Sequence, residues 1–222
     1  GVRYAIAVAK KQEASLLILH VTDIKLLEGP FLRDLTASLG AAPYVNYQGS
    51  ISMLLDERGK TALLHARKLC EKQGLECETS LQTGVVPRVI CENAELVDMI
   101  VMGRAGEHNQ FLDGLIGSTT EAVVRRASVP VLVTGHDTPT NGDIVLAYDG
   151  SPQAKKALRV CADFATHNAR KMRVLVVGGE EDAALLEETR NYLQNRDINV
   201  EYTRRDGEPG AEIVSFAADC NA

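Results

Sequence analysis

Six residues near the middle of the chain have the types and spacing of an anion cradle: Gly103, Gly106 and Gly117, followed by Ser118, Thr119 and Thr120. Glycines at 103 and 106 let the backbone turn tightly and approach a ligand with no Cβ in the way. The run STTEAVVRRA after Gly117 has helical character. Free amides at a helix start, reinforced by the helix dipole, attract phosphate, and three neighbouring hydroxyls add hydrogen-bonding capacity. A second reading stands beside this one. Ser118 followed three residues later by Glu121 is the pattern of a capping box, which would satisfy the same amides from within and add a negative charge unfavourable to phosphate. The glycines form neither a G-x-G-x-x-G dinucleotide fingerprint nor a P-loop, since no Gly-Lys-Ser/Thr follows them.

The elements that hold these residues are legible from hydrophobic pattern. Met99 to Met102 and Val129 to Val133 are short apolar runs on either side of the helix, the mark of a parallel β-α-β unit buried on both faces. Upstream, Val2 to Lys11 predicts a helix with Ala5 and Ala9 on a small-residue face, and LLILHV (Leu16 to Val21) predicts a strand. Pro30 to Leu39 predicts a short helix, Gly40 to Ser50 a loop, and Glu57 to Gln73 a helix with Leu63, Ala66 and Cys70 on one face. Leu75 to Leu81 reads as a strand and Pro87 to Glu95 as a helix. GHDTPTNG, from Gly135 to Gly142, reads as a linker, with 136–142 between the lobes.

Beyond it the order recurs: strand Ile144 to Tyr148, helix Pro152 to Ala165 announced by Ser151 and Pro152, strand Val174 to Val177, helix Glu181 to Gln194, strand Asn199 to Thr203 and a helix from Pro209 to Ala218. Laying Gly84 on Gly207 also lays Cys70 on Leu193, Leu75 on Ile198, Ile90 on Ile213 and Ala94 on Ala217 without a gap, an internal duplication. The expected fold is therefore α/β, two repeated doubly wound parallel lobes, 1–135 and 143–222.

The stretch from Asp98 to Val133 resembles the nucleotide loop of the universal stress protein family, whose pattern is Gly, two residues, Gly, nine residues, Gly, then Ser or Thr. Gly103-Arg104-Ala105-Gly106 and Gly117-Ser118 match it, with ten residues between Gly106 and Gly117 instead of nine. The repeat resembles the tandem form of that family. The resemblance implies an adenine nucleotide alpha hydrolase-like fold and binding of ATP, ADP or AMP, with or without magnesium. It places Val21, Met102 and Gly103 around adenosine and Gly106, Gly117, Ser118, Thr119 and Thr120 around phosphate, with Arg104 as an added charge. In the second lobe only Asp149 and Val177 match, and Asp149 reads equally as the turn residue of an Asp-Gly pair.

Set against the repeat, lobe one begins inside the helix that should follow a first strand, and lobe two ends before its glycine loop. The expectation is a protein extending at both ends, with a hole where that central strand belongs. The alternative is that Ile144 to Tyr148 fills the vacancy, from this chain or a partner.

Composition limits the rest. In 222 residues, 45% are hydrophobic and 24% charged, with a net charge of -6, an ordinary globular make-up unsuited to nucleic acid or anionic membrane as main partner. Cys70, Cys77, Cys91, Cys161 and Cys220 are odd in number and scattered, which points to reduced thiols in a cytoplasmic setting. His20, His65, His108, His136 and His167 lack metal-ligand spacing. Asp113 and Glu107 lie near the glycine loop without forming a catalytic cluster, so any ATP hydrolysis is expected to be slow. Adenylyl transfer is disfavoured by the lack of His-x-Gly-His and Ser-Gly-Gly-x-Asp-Ser elements. Two functions remain: a nucleotide-binding stress-response module, as a homodimer or an intramolecular pseudo-dimer, or a nucleotide-free scaffold of two packed lobes.

Overall fold

A computed structural model describes residues 1–25, 44–106, 116–135, 142–168 and 170–220, with the side chains of 44–48 and 168 left aside. The chain divides into two compact units, Gly1–Thr138 and Pro139–Ala222. The predicted helix over Pro30 to Leu39, most of the linker, and Asp113 and Glu107 lie outside the described residues.

The first unit runs α1 (Val2–Gln12), β1 (Leu16–Asp23), α2 (Tyr44–Lys72), β2 (Cys77–Gly84), α3 (Val86–Asn93), β3 (Ile100–Gly103), α4 (Ser118–Arg126) and β4 (Val131–Thr134). A 3-10 turn, Ala94–Leu96, continues α3. Ile6 and Ala9 of α1 and Leu63, Ala66 and Cys70 of α2 are buried, as helical spacing of apolar residues requires. The region expected to be a loop up to Ser50 is instead helical from Tyr44. Gly59, inside the predicted helix, packs closely against the strands. A Cβ there would fall 2.7 Å from Leu81 Cδ1 and 2.8 Å from His20 Cδ2.

All strand pairings in this unit are parallel. β1 pairs β2 from Leu16↔Cys77 to Asp23↔Gly84, and β3 pairs β4 from Ile100↔Val131 to Gly103↔Thr134. No ladder joins the two pairs among the described residues; they are separate two-stranded sheets, and α1 touches both β1 and β3.

The second unit runs β5 (Ile144–Ala147), α5 (Pro152–Asn168), β6 (Met172–Val177), α6 (Ala183–Leu193), β7 (Val200–Arg205) and α7 (Pro209–Asp219), with parallel order β5-β6-β7. The alternative in which Ile144 to Tyr148 completes the first lobe is thus corrected for this chain: Ile144 to Ala147 pair with Met172 to Leu175 in their own sheet. Apolar side chains decide this, since Leu146, Leu158, Ala162, Met172, Val174 and Val176 form one buried cluster with Tyr148 and Leu193. Polar ties close the sheet's lower edge, where Arg173 pairs with Asp143 at 2.6 Å and also with Glu201.

Candidate functional site

The carboxyl ends of β3 and β4 and the start of α4 are stitched together through the main chain. Arg104 N–H donates to Thr134 O at 3.0 Å, and Gly117 N–H donates to Arg104 O at 2.9 Å. The glycine turn after β3 and the glycine before α4 are therefore neighbours. The residue capping α4 is Gly117, in an extended conformation (φ -65, ψ 144), with no side-chain cap. That shifts Ser118 into the first helical position and removes the geometry of a capping box. Glu121, the expected partner, turns along the helix to Arg125, with Oε1 3.0 Å from Nη2. Both are largely exposed, and the pairing carries the carboxylate's charge onto the outer face of α4.

The consequence is a helix start with donors to spare. Glu121 N–H reaches Gly117 O within the helix. The main-chain N–H groups of Ser118, Thr119 and Thr120 belong to the first turn and find no acceptor among the described residues. They face a cleft of about 520 Å³ lined by Val86, Met102, Gly103, Ala105, Gly106, Gly117, Ser118, Thr119 and Thr120, a size in the range of small-molecule sites, roughly 300–1,000 Å³. None of these described lining residues carries an ionisable side chain. The positive potential comes from backbone: the N-terminus of α4 and, through Val86, that of α3, which is also without a side-chain cap and has no acidic residue in its first turn.

Seven of the nine residues expected around a ligand in the first lobe meet here: Met102, Gly103, Gly106, Gly117, Ser118, Thr119 and Thr120. Thr120 is placed differently from expectation, because its hydroxyl donates to Gly103 O at 3.0 Å and so is engaged within the protein. Val21 is half-buried in β1, beside Gln82 in the ladder, and does not line the cleft. Arg104 contributes its main chain, and its side chain is not part of the lining. Val86 and Ala105 were not foreseen. A helix start at Pro87 was readable, but its proximity to α4 is a tertiary fact with no local signal.

The two candidates in the second unit lie at the carboxyl ends of neighbouring strands. Asp149 closes its own turn, Oδ1 accepting the Ser151 N–H at 3.0 Å. Hydrogen bonds from Ser151 hold its carboxyl below the usual range. Val177 ends β6 opposite Arg205. The helix after Asp149 is capped by Ser151, whose Oγ accepts the Ala154 N–H at 3.1 Å. The helix after β7 is capped by Glu208, which accepts from Gly210 N–H and Ala211 N–H at 3.0 and 2.7 Å.

A second groove, about 580 Å³, runs along α2 and is lined by Val2, Thr61, Ala62, His65 and Leu69 among others. It includes the first residue of α1, Val2, but no glycine among its lining residues. Among the described residues no group of three His, Cys, Asp or Glu side chains is placed to hold a metal, and no helix is long and apolar enough to cross a membrane. All five cysteines are free thiols.

Parallel strands joined through helices, with a cleft at the carboxyl ends of the strands, define an α/β protein of the doubly wound, adenine nucleotide alpha hydrolase-like class. The model of the universal stress protein family matches residues 1–135. A universal stress protein of Methanocaldococcus jannaschii is 34% identical over 133 residues, which are 59% of this chain and 71% of that protein. One from Synechocystis is 25% identical over 183 residues, 79% of this chain and 64% of its own length. The crystal structure of a universal stress protein from Archaeoglobus fulgidus superposes with a TM-score of 0.78 at 19% identity, covering 100% of this chain and 78% of that one, a likeness of fold. This chain belongs to the universal stress protein family. It spans 64% of the Synechocystis relative and 54% of a Mycobacterium tuberculosis one.

Proposed function

We propose that the cleft at the start of α4 binds the phosphates of an adenine nucleotide, and that the chain acts as a nucleotide-binding module of the stress response. The observation that carries this is the uncapped first turn of α4, with Glu121 held by Arg125. Three amides and two hydroxyls, of Ser118 and Thr119, without a partner among the described residues suit a polyanion, and the bare backbone of Gly106 lets it approach. Met102 and Gly103 lie where the sugar and base would follow, at the strand end. Magnesium, where present, would arrive on the phosphates, because no carboxylate is among the described residues that line the cleft. Bound nucleotide would bias the conformation or partner affinity of the protein, and the partner expected is a second copy or the chain's own second lobe. The setting this reading assumes is the cytoplasm.

Calorimetric titration of the chain with ATP, ADP, AMP and adenosine tests it. Affinity is expected to fall as phosphates are removed. Gly106→Val is the matched control, since a Cβ at 106 meets nothing within 4 Å among the described residues, while the side chain narrows the cleft wall. No heat with any nucleotide would leave the interaction scaffold as the function.

A further inference from the structure

We propose that Thr120 is a positioning residue, whose hydroxyl clamps the β3 exit to α4 and so sets the aim of the free amides, and that it is not itself a phosphate donor. This rests on the nucleotide reading of the same cleft.

Thr120 and Thr134 are each only 3% exposed. Thr120 Oγ1 donates to Gly103 O at 3.0 Å, and Thr134 Oγ1 donates to the preceding carbonyl, Met102 O, at 3.3 Å. A hydroxyl has one proton to give. With that proton on Gly103, Thr120 has none for a phosphate oxygen, which can only accept. What remains of Thr120 for a ligand is its main-chain N–H.

The bond also joins the end of β3 to the first turn of α4. α4 is nine residues long and marginal as an isolated helix. Its first turn is tied to β3 by Thr120 and by the Gly117 N–H to Arg104 O bond. Both ties act on the segment between strand exit and helix start, where the amide direction is decided. The Thr134 bond is longer and therefore the weaker of the two hydroxyl contacts. A site held ready before ligand arrives loses less on binding than one that must order.

The test uses the full chain with Thr120→Val, which keeps shape and removes the hydroxyl, Thr120→Ser, which keeps it, and Thr134→Val on the neighbouring carbonyl. Amide hydrogen exchange is measured without nucleotide over residues 103–106 and 117–121, and ATP and AMP binding by calorimetry. Thr120→Val is expected to speed ligand-free exchange in both segments and to weaken ATP and AMP by the same factor, about five- to tenfold, the worth of one neutral hydrogen bond. Thr120→Ser restores both, and Thr134→Val gives a smaller change of the same sign. Parental exchange in ligand-free Thr120→Val, or a loss confined to ATP, overturns the proposal in favour of direct phosphate contact. Should the parent chain take up no nucleotide, the binding reading falls by itself, and the exchange data still decide whether the clamp exists.

Discussion

Replacing Ser118 by aspartate separates an anion site from an ordinary helix start, because the two predict opposite signs. Ser118 is exposed and occupies the first position of α4, whose cap offers no carboxylate. An acidic side chain in the first turn of such a helix stabilises it by about 0.3–1 kcal/mol through the dipole. The Ser118→Asp chain should therefore melt at or slightly above the parent temperature. Binding should move the other way. A carboxylate about 4 Å from a phosphate costs about 1 kcal/mol in water and about 4 kcal/mol at an effective dielectric constant of about 20, and this cleft is partly open. Losing a charge-assisted hydrogen bond from the serine hydroxyl adds about 1.5–3 kcal/mol. Together these weaken ATP by at least about a hundredfold.

Ser118→Asn removes the hydroxyl without adding charge and should lose only the hydrogen-bond part, about 1.5–3 kcal/mol or roughly ten- to a hundredfold, less than aspartate loses. High salt should recover part of the aspartate loss and little of the asparagine loss, since only the former is screened. Calorimetry at low and high salt, paired with thermal melts, gives all four quantities. If the aspartate variant binds ATP within about twofold of the parent, the amides of α4 are not where phosphate sits, whatever else the cleft holds.

Other residues carry independent tests. Gly59→Ala gains about 1 kcal/mol of helix propensity and meets an overpacking cost of about 1–3 kcal/mol against Leu81 and His20, so urea denaturation should show a net loss of up to about 2 kcal/mol; a stabilised variant would refute the close approach. Ser151→Ala removes the cap of α5 and should cost about 1 kcal/mol by the same assay, with Asn restoring it. Glu208 has its pKa lowered by the Ala211 and Gly210 amides, so its stabilisation is present above the ordinary carboxylate value of 4.5 and is lost as the pH falls through its folded value. Melts of the parent and Glu208→Gln should accordingly differ near neutrality and converge in acid.

Much of this was readable because the signals were local. LLILHV and VLVV could be little other than buried strands, and Pro152 and Pro209 open helices as their fixed φ favours. Gly84 and Gly207 mark equivalent ends of β2 and β7, and α3 and α7 begin two residues later in each. What escaped depended on neighbours. Cys77–Gly84 is a polar strand, CETSLQTG, and its weak alternation put the expected strand too early, at Leu75 to Leu81. Tyr44 to Asp56 carries Gly49 and extends a helix that propensity alone would have stopped. Ser118 and Glu121 satisfied the capping-box spacing. The cap fell one residue earlier because Gly117 N–H is tied to Arg104 O, a contact across the glycine loop that no window on the sequence displays.

The alignment of Gly84 with Gly207 makes the difference between the two units informative. Position for position, Val85 before α3 corresponds to Glu208 before α7. The valine leaves the α3 amides without a side-chain acceptor, whereas the glutamate takes two amides of α7. At the start of α5, Ser151 takes one amide, and Asp149 accepts the N–H of Ser151 in the turn before it. A helix end can serve an outside anion only to the extent that its own side chains decline the role. In the second unit, side chains cap the starts of α5 and α7, and the start of α6, without a side-chain cap, follows the acidic turn Glu180–Asp182, which opposes an anion; in the first the starts of α3 and α4 are both uncapped and both reach one cleft. On that ground, a nucleotide bound by this chain belongs at Gly106, Gly117 and Ser118. Changing Asp149 or Val177 should then leave nucleotide affinity unaltered, which titration of Asp149→Asn against the parent would decide.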